Sequence, residues 1–442
     1  MPSVALVAPA PLYFAPLAES RGLFANLRRL PRLGLLALEA VTPKTWAVEM
    51  IDERVERFDP DAIKADLVGI TAMTYMAPRA FEMARALRIR GKTVVLGGYF
   101  PTMSPELALA EPAISAVVIG RGEAAWPKLL DDFAHGRLQR VYDLPFGDDD
   151  FKLAPIDPRR MANDRGYNGW LTQVQATLGC KFRCRFCVIP AFHRDSVALR
   201  DLDDVTEEIA RAPTKRVLFV DDNLLNRPAY LEALCDRLRP LGKEWIAQVS
   251  MDIGKQKRLL AKMARSGCGW LNVGIESVSA RTLAAQAKWQ NDVRTYLDAL
   301  NAIRDHGISI SAGMVLGFPN EPPDVFDLTG EFLDKAPIDV TVFHVYTPYP
   351  GTSEHKAHAD RLLTRDLSLY DTYHLIVRPE HVTPEAFAQK FEALEERFYG
   401  GNRVIRRALS SLRRDGPAGF ARTLATGTEA WLNLREGLPL HS

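Results

Sequence analysis

What most constrains this chain is an alternation of short apolar runs with stretches of helical periodicity, repeated from the N-terminus to about residue 350. In the first third the runs are residues 4–8, 46–51, 67–71, 93–96 and 116–119. Between the third and fourth, residues 78–90 place Ala80, Phe81, Ala84 and Leu87 at helical spacing, with arginines on the other face. Apolar runs of this length suit strands covered on both faces, so residues 1–142 read as a doubly wound, Rossmann-like parallel sheet. Ligands of such sheets sit at the carboxyl ends of the strands. Those ends are Thr71-Ala72-Met73-Thr74, Gly97-Gly98-Tyr99-Phe100 and Gly120-Arg121-Gly122-Glu123, where small residues let a large planar ligand approach the backbone.

Residues 143–170, with three prolines and an acidic run, read as a linker in which Asp148-Asp149-Asp150 is a solvated turn. A strand-then-helix unit then recurs six times, with strands at 172–176, 216–220, 245–249, 270–274, 308–316 and 340–346. Helical spacing fills 205–211, 229–238, 255–266, 293–306 and 323–333. Six units with right-handed crossovers are too few to close an eight-stranded barrel, so an open, partial barrel is expected over residues 171–352. Its carboxyl strand ends carry polar residues: Asp221-Asp222-Asn223, Ser250 and Asp252, Glu276-Ser277, then Tyr346, Tyr349 and the turn Pro350-Gly351-Thr352. The fifth strand holds Gly313 and Gly317 four apart and runs into Phe318-Pro319, a pattern that leaves room for a flat ring. Residues 353–442 read as a small helical cap, with helices at 384–399, 404–412 and 420–434. The arginines Arg403, Arg406, Arg407, Arg413 and Arg414 are its wet face.

Three of the five cysteines fall within Cys180-Lys181-Phe182-Arg183-Cys184-Arg185-Phe186-Cys187, after the first barrel strand. Thiolates at this spacing reach one metal centre from a single loop and leave one coordination position open. Structural zinc closes all four positions, and His193 is the one local candidate for a fourth ligand. Fully ligated iron–sulfur clusters take four cysteines, so three imply an open iron. Cys235 sits at an apolar helix position and Cys268 ends a helix just before the fourth strand, on the side opposite the expected site, so both read as structural.

Fifty-six Lys and Arg against fifty-five Asp and Glu give no global field to attract nucleic acid or an anionic membrane. The opening MPSVALVAPAPLYFAP has no cationic n-region and four prolines, so it reads as a buried strand and loop rather than a signal peptide. No apolar run approaches a membrane span. The cysteine usage suits a reducing cytosol.

The CxxxCxxC spacing, with Phe186 before the last cysteine, resembles the cluster loop of the radical S-adenosylmethionine superfamily. The resemblance implies a [4Fe-4S] cluster on Cys180, Cys184 and Cys187, whose fourth iron chelates the amino and carboxylate groups of S-adenosylmethionine. The reduced cluster of that family cleaves the sulfonium to release a 5′-deoxyadenosyl radical. Gly313-Met314-Val315-Leu316-Gly317-Phe318-Pro319 resembles the family's GxIxGxP-type strand, whose backbone borders the adenine. Further S-adenosylmethionine contacts implied in this way are Phe186, Asp221 or Asp222 to the ammonium, Ser250, and Glu276 to the ribose; for Asp221 a helix cap is an equal reading.

The sheet ahead of that loop, with VVLGGYFPTMSPELAL and VVIGRGEAAWPKLL, is similar to the N-terminal domain of the cobalamin-binding subclass. That implies cobalamin at Thr71, Met73, Gly97, Gly98, Tyr99, Gly120, Gly122 and Glu123. The DxHxxG loop is absent and no histidine precedes His135, so the lower face of a cobalamin here would lack a histidine. The expected function is a cytoplasmic, cobalamin-dependent radical enzyme that methylates an unactivated carbon of a small molecule or lipid through methylcobalamin. Its electron donor would be a flavodoxin or ferredoxin. The alternatives are cyclisation, ring contraction or rearrangement without methyl transfer, and a non-catalytic cobalamin or iron–sulfur carrier or sensor. Polar residues at five strand ends argue against the carrier.

Overall fold

The computed structural model describes residues 1–11, 30–144, 156, 167 and 170–435. Most of the expected linker, with its Asp148-Asp149-Asp150 turn, and the loop half of the N-terminal stretch lie outside the described residues. The first sheet comprises β1 (Ser3–Ala8), β2 (Ala47–Asp52), β3 (Leu67–Thr71), β4 (Thr93–Gly97), β5 (Ala116–Ile119) and β6 (Val141–Asp143). They run in the order β2-β1-β3-β4-β5-β6, and all pairs are parallel. Alternate side chains enter two separate cores, as covered faces require. Val68, Ile70, Val94 and Leu96 meet the helix Ala77–Ile89 on one side. Leu6, Leu67, Val95 and Val118 meet the helices Leu33–Val41 and Gly122–Ala134 on the other. The edge strand β6 was not expected, because three residues reading Val-Tyr-Asp show no periodicity.

The second sheet begins with β7 (Leu171–Val174). A short antiparallel pair, β8 (Thr177–Leu178) and β9 (Ala198–Leu199), then brackets the cysteine loop. β10 (Arg216–Phe219), β11 (Glu244–Ser250), β12 (Cys268–Glu276), β13 (Ser309–Leu316) and β14 (Val340–Val345) follow. The sheet is open and ordered β14-β13-β12-β11-β10-β7, with parallel pairing throughout. Cys235 and Cys268 are buried in its core, Cys268 opening β12.

The helix Pro384–Tyr399 is capped by Thr383, whose hydroxyl accepts the Ala386 N–H at 3.2 Å. It buries Phe387, Leu394 and Phe398 on the barrel. The two further helices expected in the cap form one element, Gly401–Arg435, interrupted at Gly416 (φ 68°, ψ −165°), just before Pro417. Its arginines are not uniformly a wet face. The Arg407 guanidinium lies 4.0 Å from the centroid of the Phe398 ring and donates to the Phe398 carbonyl at 2.7 Å, while Arg403 pairs with Asp334. Among the described residues no helix is long and apolar enough to cross a membrane.

Candidate active site between the two sheets

The cysteine loop is held from three sides. Gly179 enters it at φ +77°, and a Cβ there would stand 2.1 Å from the Ser196 carbonyl oxygen, so only glycine fits. Asn226 accepts the Lys181 N–H at 2.9 Å and donates to the Gly179 carbonyl at 2.8 Å. The Arg185 N–H reaches the Gln286 carbonyl at 3.0 Å, and Cys187 N–H closes a turn onto the Cys184 carbonyl at 3.1 Å. The thiols have polar neighbours of their own: the Asn223 amide lies 3.8 Å from Cys180 Sγ and the Gln290 amide 3.6 Å from Cys184 Sγ.

Burial raises the pKa of all three thiols, that of Cys187 to about 12, and each is raised further by at least one neighbouring cysteine or carboxylate. Three thiols that repel one another as thiolates await a cation. Among the described residues no three acidic, His or Cys side chains converge on a point that would hold a single ion. Three thiols on one loop supply three of the four ligands that a [4Fe-4S] cluster takes. His193, the candidate fourth ligand, turns instead to Asp222, 3.4 Å away.

The two adjacent acids after β10 have separate tasks. Asp221 neither caps a helix nor faces an open site. It is buried, and its two oxygens accept the N–H groups of Ala176 and Thr177, the first at 3.1 Å. It thus fixes the exit of β7 into the cysteine loop. The helical turn after it is capped by Asn223. Asp222 accepts the Gly179 N–H through Oδ2 at 2.9 Å, while Oδ1 has no partner among the described residues. Ser250 donates to Asp252 and receives the Asn223 amide at 3.2 Å.

Glu276 ends β12 in the left-handed region, at φ +64°. Its carboxylate folds back over the sheet and meets Lys288 at 2.9 Å. Gly274 and Gly313 are register partners beneath it. A Cβ on Gly274 would stand 2.4 Å from Glu276 Oε1, and one on Gly313 would stand 3.6 Å from Oε2. Here the Gly313 vacancy houses a carboxylate, where a flat ring was the sequence expectation. Burial depresses the Lys288 ammonium, but Glu276 and Cys184 outweigh it and leave the pKa raised, so Lys288 is a cation between the carboxylate and the cysteines. His344, on β14, shares this interior: burial lowers its pKa and the Glu276 charge opposes that. Gly317, at φ +91°, packs against Phe387 of the cap, where a Cβ would come to 3.2 Å. Phe318 is buried between Phe186 and Tyr346, at centroid distances of 5.7 and 4.9 Å. Both are placed as wall and packing rather than as open surface.

The strand ends of the first sheet surround one cavity of about 310 Å³, lined by Thr71, Met73, Gly97, Gly98, Tyr99, Gly120, Gly122 and Glu123. Leu35, Leu38, Val95, Val118 and Trp126, from the sheet and from the helices Leu33–Val41 and Gly122–Ala134, line its apolar part. Two glycines let these side chains pack close to the backbone. A Cβ on Gly69 would reach 3.0 Å from Trp126, and one on Gly122 would reach 2.9 Å from Leu38. Thr102, which the sequence did not single out, ties two of the glycine loops together: its hydroxyl donates to the Gly98 carbonyl at 2.7 Å and accepts the Gly120 N–H at 2.9 Å. The barrel domain supplies the remaining wall through Leu178, Phe192 and His193, with Phe192 stacked on Tyr99 at 4.2 Å. Bare backbone at the strand ends and a lining drawn from two domains fit a large planar ligand such as a corrinoid. His193, from the barrel side, is the cavity's one histidine among the described residues.

Comparisons with known proteins agree with this division. Residues 29–130 match the B12 binding domain and residues 174–333 match the radical SAM superfamily. The bacteriochlorophyllide d C-12(1)-methyltransferase of Chlorobaculum tepidum is 28% identical over 85% of this chain and 84% of its own length. The bacteriochlorophyllide d C-8(2)-methyltransferase of the same organism is 28% identical over 88% and 90%. Among solved structures, the radical S-adenosylmethionine methyltransferase TsrM from Kitasatospora setae, with cobalamin and a [4Fe-4S] cluster bound, superposes with a TM-score of 0.72 at 16% identity. That match covers 99% of this chain and 100% of TsrM, and it supports the fold. With three cysteines on one loop of an open barrel, and a glycine-lined cavity in the sheet before it, the chain belongs to the cobalamin-dependent radical S-adenosylmethionine enzymes of the methyltransferase type.

Proposed function

We propose that the protein methylates an unactivated carbon of a small molecule or lipid held where its two sheets face each other. The observation that carries this reading is the single cavity lined jointly by the ends of the first sheet and by the segment that follows the cysteine loop. When bound, the cluster with S-adenosylmethionine supplies a carbon radical able to take hydrogen from a C–H bond, and cobalamin supplies the methyl group.

The chain's own residues position these groups and exclude water. Cys180, Cys184 and Cys187 hold the cluster. Asp222, through its unpaired oxygen, and Ser250 border the methionine end of the nucleotide, while Glu276, Gly313, Gly317 and the Phe186–Phe318 wall border the nucleoside. Thr71, Met73, Gly97, Gly98, Tyr99, Gly120, Gly122 and Glu123 cradle the corrinoid. Reduction of the cluster requires a one-electron donor such as a flavodoxin or ferredoxin, and an oxygen-sensitive cluster suits the cytoplasm. The named activities of the two Chlorobaculum relatives make a tetrapyrrole the first substrate to try.

The test is anaerobic reconstitution with iron, sulfide and hydroxocobalamin, followed by incubation with S-adenosylmethionine, reduced flavodoxin and bacteriochlorophyllide d. Equal yields of S-adenosylhomocysteine and 5′-deoxyadenosine, with one methyl gained per pair, are expected. Deoxyadenosine without S-adenosylhomocysteine would replace methylation by cyclisation or rearrangement, and neither product would overturn the reading for this substrate.

A further inference from the structure

Arg32 stands immediately before the helix Leu33–Val41 and lines the cavity. It makes no side-chain hydrogen bond or ion pair among the described residues, and its Nε is buried without a partner. Its acidic neighbour, Asp52, is already engaged: Arg54 takes both oxygens of that carboxylate, at 3.0 Å through Nε and 2.6 Å through Nη2. A second guanidinium therefore stands near a carboxylate already taken, and burial together with the Arg54 charge pulls the Arg32 pKa down. An uncompensated cation withdrawn from water costs free energy that a polar ligand would return. Leu35 and Leu38, on the same helix, line the same cavity.

A corrinoid held in the cavity that Arg32 lines would carry its nucleotide base on a linking group. In cobalamin that group is a phosphodiester, an anion with two free oxygens. We infer that Arg32 binds the phosphodiester of the corrinoid's nucleotide tail and so makes the first domain selective for complete cobalamin over a corrinoid lacking the nucleotide. The inference rests on the cobalamin reading of this cavity and assigns Arg32 a binding role independent of the methyl transfer. A guanidinium offers the paired donors that phosphate oxygens accept.

The experiment is an anaerobic spectrophotometric titration of the full chain with hydroxocobalamin and, separately, with dicyanocobinamide, which has neither phosphate nor base. Wild type is compared with Arg32→Met, which keeps the length and removes the charge, and with Arg32→Lys. Arg32→Met is expected to weaken cobalamin binding about tenfold or more, to leave cobinamide binding within about twofold, and to be partly restored by Arg32→Lys. Iron content and far-ultraviolet circular dichroism equal to wild type show that the variant is folded. An equal loss for both corrinoids, or no loss for cobalamin, overturns the role of Arg32. Failure of wild type to bind either corrinoid overturns the cobalamin reading itself, so the two failures are told apart.

Discussion

At the scale of single residues, the cysteine loop depends on positions that bear no sulfur. Gly179→Ala meets both a left-handed backbone and the Ser196 carbonyl oxygen 2.1 Å away, whereas Gly269→Ala, with open space around its Cβ, meets neither. Backbone strain and displacement of this kind cost about 1–3 kcal/mol. Reconstituted iron should fall from about four per chain toward zero in Gly179→Ala, as it should in Cys184→Ala with the fold retained, and stay unchanged in Gly269→Ala. Asp221 gives a second prediction, in pH. Burial raises its carboxyl to about 7, against the pull of two backbone donors. Between the ordinary carboxylate range and pH 7 the native state then binds more protons than the unfolded chain. The stability this group contributes is full below about pH 4 and is lost as pH rises through about 7. The urea midpoint should therefore drop between pH 5 and pH 8, and Asp221→Asn, neutral throughout, should flatten that drop.

At the scale of elements, β12 and β13 form a lane by leaving out side chains at paired positions. Gly274→Ala should push the Glu276 carboxylate away from Lys288, because its Cβ would fall 2.4 Å from Oε1. Affinity for S-adenosylmethionine, measured by equilibrium dialysis on the reconstituted protein, should then drop about tenfold with iron content unchanged, the effect of a lost charge-assisted contact. Half of this lane was legible beforehand. Gly313 stands out because glycine in a strand is an anomaly that needs a reason. Gly274 lies in Trp-Leu-Asn-Val-Gly-Ile-Glu, an ordinary strand end, and Lys288 has no periodic relation to Glu276, so neither announced itself. The strands themselves were readable because a two-residue or 3.6-residue period is a local property. Nothing local separates Asp221 from Asp222. Only the fold, by bringing Ala176 and Thr177 against the first and Gly179 against the second, divides their roles.

At the scale of the whole molecule, the cavity exists because two sheets present their carboxyl ends to each other, and contacts between the domains fix that approach, among them an apolar cluster of Leu36, Ala37, Leu178 and Ala198. Phe192 stacks on Tyr99 at 4.2 Å. The turn at Gly351, φ +89°, presses against the first domain so closely that a Cβ would stand 1.7 Å from the Met103 carbonyl oxygen. Arg194 pairs with Asp143. If the first domain alone held the corrinoid, loosening these contacts would leave binding intact; if the cavity is a shared one, the same changes must weaken it. The aromatic stack contributes about 0.5–1.5 kcal/mol beyond its buried area. Phe192→Ala should therefore raise the dissociation constant for hydroxocobalamin several-fold. Gly351→Ala, which forces the sheets apart with no contact to the cavity, should do so at least as strongly. Iron per chain should hold at the wild-type value in both, since the cysteine loop keeps its Asn226, Asp222 and Gln286 supports. Unchanged cobalamin affinity in both variants would mean that the barrel lies beside the corrinoid site without forming part of it.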